Sequence, residues 1–325
     1  MKNKQTLPIH QYLPDASQVV YGCMGLGGGW SNAPVSQSDI AQTQKVIETA
    51  LANGITLFDH ADIYTFGKAE EAFGKCLERS PQLRESMLVQ SKCGIRFADE
   101  KGPKRYDFSA QWITQSVENI LKRLSTEYLD VLLLHRPDPL MEIEETAGAL
   151  NQLLAQGKIR HIGVSNMHSG QLRWLQQALD APIVANQIEM SLVQFDWLDE
   201  SLTTGSAQAR DNSFDSHLLT YCQEHKVQLQ AWGSLAQGKI TDIKRAQTAE
   251  HQHVVSLVQD LSDIYQCSAE AIVLAWLMRL PQHIQPIIGT TNTDRIAACA
   301  QAMSISLSRE HWYALYEAAR GHEVP

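Results

Sequence analysis

Residues 109–137 read SAQWITQSVENILKRLSTEYLDVLLLHRP and contain one complete unit of the fold. The first half sets Ile113, Val117, Ile120, Leu121 and Leu124 at steps of three and four, the period of a helix with one apolar face, behind Ser109 as N-cap. The second half, 128–134, is an almost unbroken apolar run, which suits a strand covered on both faces. That run stops abruptly at His135-Arg136-Pro137. A buried strand ending in a polar cluster is the pattern of a parallel barrel whose strand ends carry a site.

Outward from this unit the pattern repeats. Apolar runs recur at 19–24, 55–58, 87–89, 159–164, 183–188, 227–232 and 284–288, which with 128–134 makes eight. Helical periods lie between them. One places Ile143, Ala147, Leu150 and Leu154 on a single face and stops at Gly157, a residue suited to a left-handed C-cap, and Gly54 after Asn53 ends the first helix similarly. Every gap between runs is long enough for a crossover helix, so the strands are expected to be parallel. These features predict an α/β fold, a (β/α)8 TIM barrel, with 1–325 as a single domain. The competitor is an open doubly wound sheet. It is weakened because Gly22, Gly25, Gly27, Gly28 and Gly29 after the first run do not make a G-x-G-x-x-G. Two stretches exceed bare barrel length and are read as site loops: a polar loop at 199–213, and a helical pair between the seventh and eighth runs.

Composition narrows the function classes. The chain of 325 residues carries 27 Lys plus Arg against 36 Asp plus Glu, a formal charge of −9, and has no basic cluster beyond pieces such as Lys104-Arg105. Nucleic acid is therefore not an expected partner. The longest uncharged apolar run, 271–278, falls far short of the roughly 20 residues of a spanning helix, so no membrane is expected. The N-terminus shows no apolar secretory segment. The 6 cysteines are far apart and form no C-x-x-C pair, which reads as reduced thiols in a cytoplasmic protein.

Polar residues at the strand ends are the ones to collect for chemistry. The second run leads into Phe58-Asp59-His60-Ala61-Asp62-Ile63-Tyr64, the third into Gln90-Ser91-Lys92-Cys93-Gly94, and the fourth into His135. Singly, an Asp here caps a helix and a Lys or His is a solvated polar group. Together they form a proton-transfer set. A phenol with an ordinary pKa of about 10 transfers protons poorly at neutral pH, and an adjacent ammonium lowers that value. Lys92 is expected to act so on Tyr64, with Asp59 holding Lys92 and His135 positioning a substrate oxygen. That set suits protonation of a carbonyl.

With these residues in place, the sequence resembles the aldo-keto reductase family over nearly its whole length. The resemblance rests on 56–64, Ser91-Lys92-Cys93-Gly94, 132–137, Gly163-Val164-Ser165-Asn166 and 286–292, in the family's order. It implies NADPH as cofactor, a small-molecule carbonyl substrate and a monomer. It further implies that Tyr64 is the general acid, tuned by Lys92 and Asp59, with His135 orienting the carbonyl. Ser165, Asn166 and Gln187 would contact the nicotinamide carboxamide and Trp232 would stack on its ring. Ser234, Leu235, Gly238 and Lys239 would approach the pyrophosphate. Gly289, Thr290, Thr291 and Arg295 would clamp the adenosine 2′-phosphate, where a planar guanidinium offers paired donors and Thr290 with a helix N-terminus supplies more. Gly289 stands where many relatives carry a Lys, and Ala298-Cys299 replace a common Glu-Asn pair.

Two other classes compete. A nucleotide-sensing or regulatory subunit would keep the barrel and the cofactor with slow turnover, but has no need of a tuned Tyr/Lys pair. A metal-dependent hydrolase would draw on His251 and His253, or on Asp59, His60 and Asp62. No H-E-x-x-H or comparable ligand set supports it, and no metal is expected.

Overall fold

Each of the eight apolar runs forms a strand in the computed structural model, which describes residues 6–325. In chain order the elements are β1 (Val20–Gly22), α1 (Gln37–Ala52), β2 (Leu57–Asp59), α2 (Lys68–Arg79), β3 (Leu88–Cys93), β4 (Ile95–Arg96), β5 (Arg105–Tyr106), α3 (Ala110–Leu124), β6 (Leu129–Leu134), α4 (Ile143–Ala155) and β7 (Ile159–Ser165). They continue with α5 (Ser169–Ala178), β8 (Ile183–Glu189), α6 (Asp196–Thr203), α7 (Leu218–Glu224), β9 (Gln228–Trp232), α8 (Ala249–Tyr265), α9 (Ala269–Met278), β10 (Gln285–Ile288), α10 (Thr293–Ala300) and α11 (Arg309–Arg320). All strands except β4 and β5 are parallel and close into a barrel. Closure is made by β1, where Val20 registers with Leu57 of β2 on one side and Ile287 of β10 on the other. No barrel strand is left with an open edge.

Local chemistry sets the helix limits. Ser109 Oγ accepts from the Trp112 amide at the start of α3, a cap worth about 1 kcal/mol. Gly157, after α4, has φ 71°. Helix α9 is buried from Ala271 to Met278, which accounts for its apolar run, and its Trp276 stacks on Trp312 of α11 with ring centroids 5.3 Å apart. At the N-terminal end of the strands, Leu7, Ile9, Leu13 and Ala16 cover Val131, Leu133, Val184 and Ala185, which seals that end of the barrel.

Two local expectations are corrected, and one small element is added. The polar stretch 199–213 is partly helical: α6 runs to Thr203 because Trp197 and Leu198 are buried, Trp197 lying 6.0 Å from Trp276. Such a short helix shows too little period to be read. The first strand ends at Gly22 and not at 24, because residues Cys23–Gly25 coil into a 3-10 turn. Strands β4 and β5 form a small antiparallel hairpin at the rim, pairing Ile95 with Tyr106, and two-residue strands carry no sequence signal. Among the described residues no helix is long and apolar enough to cross a membrane.

Candidate active site

The open end of the barrel is its C-terminal rim, and the strand ends deliver their polar residues there. Asp59 closes β2, Lys92 is the penultimate residue of β3, and His135 follows β6 directly. Tyr64 arrives on a tight turn after β2, in which Thr65 and Phe66 take positive φ values of 49° and 61°. A β-branched residue in that region is strained, at about 1–3 kcal/mol. The turn is held by Thr65 Oγ1, which donates to Leu26 O at 3.0 Å. It is also packed by Gly27, where a Cβ would lie 2.3 Å from Lys68 O.

The four side chains meet around one cavity of about 730 Å³. Lys92 Nζ spends its three hydrogens on Asp59 Oδ2 at 2.7 Å, His60 O at 2.8 Å and Tyr64 Oη at 2.9 Å. The Tyr64 oxygen accepts from the ammonium, so its own hydrogen is left for donation into the cavity. Burial opposes the Lys92 charge, but Asp59 and Tyr64 outweigh it and move the Lys92 pKa up. For Tyr64 the balance corrects the expected direction. Burial pushes the phenol up, Lys92 pulls it back, Asp59 adds to the rise, and the net pKa lies above the ordinary value. The phenol therefore stays protonated at neutral pH, as a proton donor must. The imidazole of His135 is held well below its usual pKa by burial, then by Lys92 and Arg136, so it is neutral. The rings of Tyr64 and His135 sit edge to face, 6.1 Å apart.

Behind this set, buried Glu70 of α2 accepts from Ser91 Oγ at 2.6 Å and from Arg123 Nε at 2.7 Å. That ties α2 and α3 to the strand carrying Lys92.

The family model described as "Aldo/keto reductase family" matches residues 18–320. The chain belongs to the aldo-keto reductase family. It is 36% identical over 315 residues to a 6-dehydroglucose reductase of Agrobacterium fabrum, covering 95% of this chain and 96% of the relative. It is 34% identical to the oxidoreductase YcsN of Bacillus subtilis, with 95% and 96% coverage. A solved aldo/keto reductase of Klebsiella pneumoniae, crystallised with NADP and acetate, superposes with TM-score 0.71 at 25% identity, covering 95% of this chain and 93% of that one.

In this aldo-keto reductase the cavity gathers most of the residues expected at a cofactor. Ser165, Asn166, Gln187, Trp232, Ser234, Leu235, Gly238, Lys239, Gly289, Thr290 and Arg295 all line it. Thr291 does not; its methyl group lies beside Gly25. Several of the polar groups already have protein partners. Asn166 Oδ1 accepts from Trp232 Nε1 at 3.1 Å and Asn166 Nδ2 donates to Ser165 Oγ at 2.7 Å. Ser234 Oγ donates to Ile287 O at 2.8 Å, and Arg295 Nε pairs with Glu270 at 3.1 Å. Gln187 spends both amide hydrogens on Asp59 Oδ1 and Gln230 Oε1, which leaves its carbonyl oxygen for a cavity ligand.

Reading the sequence alone missed Arg136, Glu189 and Arg245, which also line the cavity. Arg136 had a signal, standing directly after His135; its guanidinium lies 5.5 Å from the centre of the Trp232 ring. Arg245 had none, because a loop folds it back so that its Nη1 donates to Gln237 O at 3.0 Å. Among the described residues no cluster of His, Cys, Asp or Glu could hold a metal ion.

Proposed function

We propose that this protein reduces the carbonyl of a small aldehyde or ketone with NADPH, using Tyr64 as general acid. The observation that carries the reading is the Lys92 ammonium bound at once to Asp59 Oδ2 and to Tyr64 Oη on the wall of a cavity large enough for a nicotinamide and a substrate. NADPH, when bound, supplies the hydride. The residues present fit that cofactor: Gln187 keeps a free acceptor for a carboxamide, Trp232 presents a flat half-buried ring, and Gly289 leaves open space beside Thr290 and Arg295 for a phosphate. Lys239 lies on the same wall, and among the described residues it takes part in no ion pair.

The chain's own part is position and proton transfer. Neutral His135 offers a hydrogen-bond donor to the carbonyl oxygen and fixes its direction toward Tyr64. Tyr64 gives up its hydrogen to that oxygen as charge develops. Lys92, already bonded to Tyr64 Oη, stabilises the phenolate left behind, and Asp59 keeps the ammonium aimed. A regulatory barrel with slow turnover would have no use for so complete a donor set.

NADPH consumption against aldehydes, ketones and quinones, repeated with NADH, tests the reading. Turnover with NADPH on at least one carbonyl class is expected. Tight NADPH binding without any turnover would transfer the protein to the sensing class.

A further inference from the structure

Four glutamines occupy the interior of this barrel, a place where apolar side chains usually fill the layers. Gln90, Gln230 and Gln285 are fully buried and Gln187 is nearly so. They neighbour one another in strand register: Asp59 beside Gln90, Gln187 beside Gln230, and Gln230 beside Gln285.

Their amide orientations are fixed from both ends. The Ser17 carbonyl can only accept, so Gln285 turns its Nε2 to it at 2.6 Å and offers its Oε1 to Gln230 Nε2 at 2.9 Å. Gln230 Oε1 then accepts from Gln90 Nε2 and Gln187 Nε2, each at 2.9 Å. Each of those amides gives its second hydrogen to Asp59 Oδ1, at 2.7 Å in both cases. The result is a closed ring of four hydrogen bonds through Asp59 Oδ1, Gln90, Gln230 Oε1 and Gln187. No amide in it can flip without setting donor against donor or acceptor against acceptor, and an unmade bond at this depth costs about 1–3 kcal/mol.

We propose that Gln90 is a positioning residue for the reduction, one that fixes Asp59 and ties the carboxamide seat at Gln187 to the Lys92–Tyr64 pair. The inference rests on the reading of Tyr64 as acid. With Oδ1 held by two amides, Asp59 has only Oδ2 for Lys92, which sets the direction of the ammonium and hence of the phenol. The same ring holds Gln187, so hydride donor and proton donor are referenced to one rigid frame.

The test compares Gln90→Met and Gln285→Met with wild type. Gln285→Met removes only the Ser17 end of the array; Asp59 Oδ1 still orients both amides that donate to it and Gln230 Nε2 still donates to Gln90 Oε1 at 3.2 Å, so this variant controls for general disturbance of the interior. For Gln90→Met, kcat is expected to fall about tenfold, the equivalent of one hydrogen bond. KM for the carbonyl compound and the Kd for NADPH should stay within about twofold, the split that marks a loss confined to the reacting geometry. Gln285→Met should keep wild-type kcat. Gln90→Met with an unchanged kcat, or Gln285→Met equally impaired, overturns the proposal. If Gln90→Met does not fold, Gln90→Asn, too short to bridge Asp59 and Gln230, replaces it with the same expected and overturning results. Wild type that binds NADPH and reduces no carbonyl compound fails the underlying reading and this proposal with it.

Discussion

Lys92 is the residue on which the site depends. It is 1% exposed, and each of its three hydrogens has an acceptor, among the described residues the only formal counter-charge bonded to it being Asp59. Removing that counter-charge leaves an ammonium buried and unpaired, which costs about 3–5 kcal/mol. Asp59→Asn is accordingly expected to destabilise the protein by that amount in denaturant unfolding, and Asp59→Asn combined with Lys92→Met to recover much of the loss. A double variant no more stable than the single one would contradict the assignment. Asp59 and His135 were legible in the sequence because each directly follows an apolar run, and Lys92 and Tyr64 because they stand in the polar stretches that the third and second runs lead into. The direction of the Tyr64 pKa was not, because burial in three dimensions outweighs the one neighbour that spacing reveals. Gln90 stood in plain view beside Ser91 and Lys92, but its role depends on Gln230, 140 residues away.

At the level of elements, the barrel places its helices by close approach as well as by apolar stripes. Helix α2 crosses α3 at Gly74, where a Cβ would lie 2.0 Å from the backbone oxygen of Arg123. In α4, a Cβ on Gly148 would meet nothing within 4 Å. The two glycines therefore answer the same substitution with opposite signs. Gly148→Ala should stabilise by about 1 kcal/mol through helix propensity. Gly74→Ala should destabilise by about 1–3 kcal/mol or more, because the helices must separate. Equal shifts in denaturant midpoint for the two variants would refute this account of the packing. The eight strands could be read from the sequence because a strand buried on both faces is a continuous apolar run. Helix α6 and the β4–β5 hairpin could not, since one buries too little of its length and the other is too short to show a period.

For the whole molecule, stability should depend on pH through histidines held neutral inside. His60 is fully buried, packs edge-on 4.6 Å from Phe73, and has among the described residues no hydrogen-bond partner on either ring nitrogen. Burial, then Lys92, pushes its pKa down to about 3. An unfolded histidine titrates near 6.5, so below that pH the unfolded chain takes up a proton that the folded one refuses. The contribution of His60 is thus complete above pH 6.5 and is lost, at about 1.4 kcal/mol per pH unit, as the pH falls toward 3. His135 acts in the same direction. His60→Met should flatten the decline of unfolding free energy between about pH 6 and pH 4 by one proton's worth, and an unaltered slope would exclude this cause. The complete barrel, sealed at its N-terminal end and open at the other, exists on this account to bring one protonated phenol to one carbonyl oxygen. The most direct measurement is the turnover of Tyr64→Phe with NADPH and the best carbonyl substrate found, alongside its affinity for NADPH. The expected result is a loss in kcat of about 10²–10⁴-fold with NADPH affinity retained; wild-type turnover in that variant would contradict it.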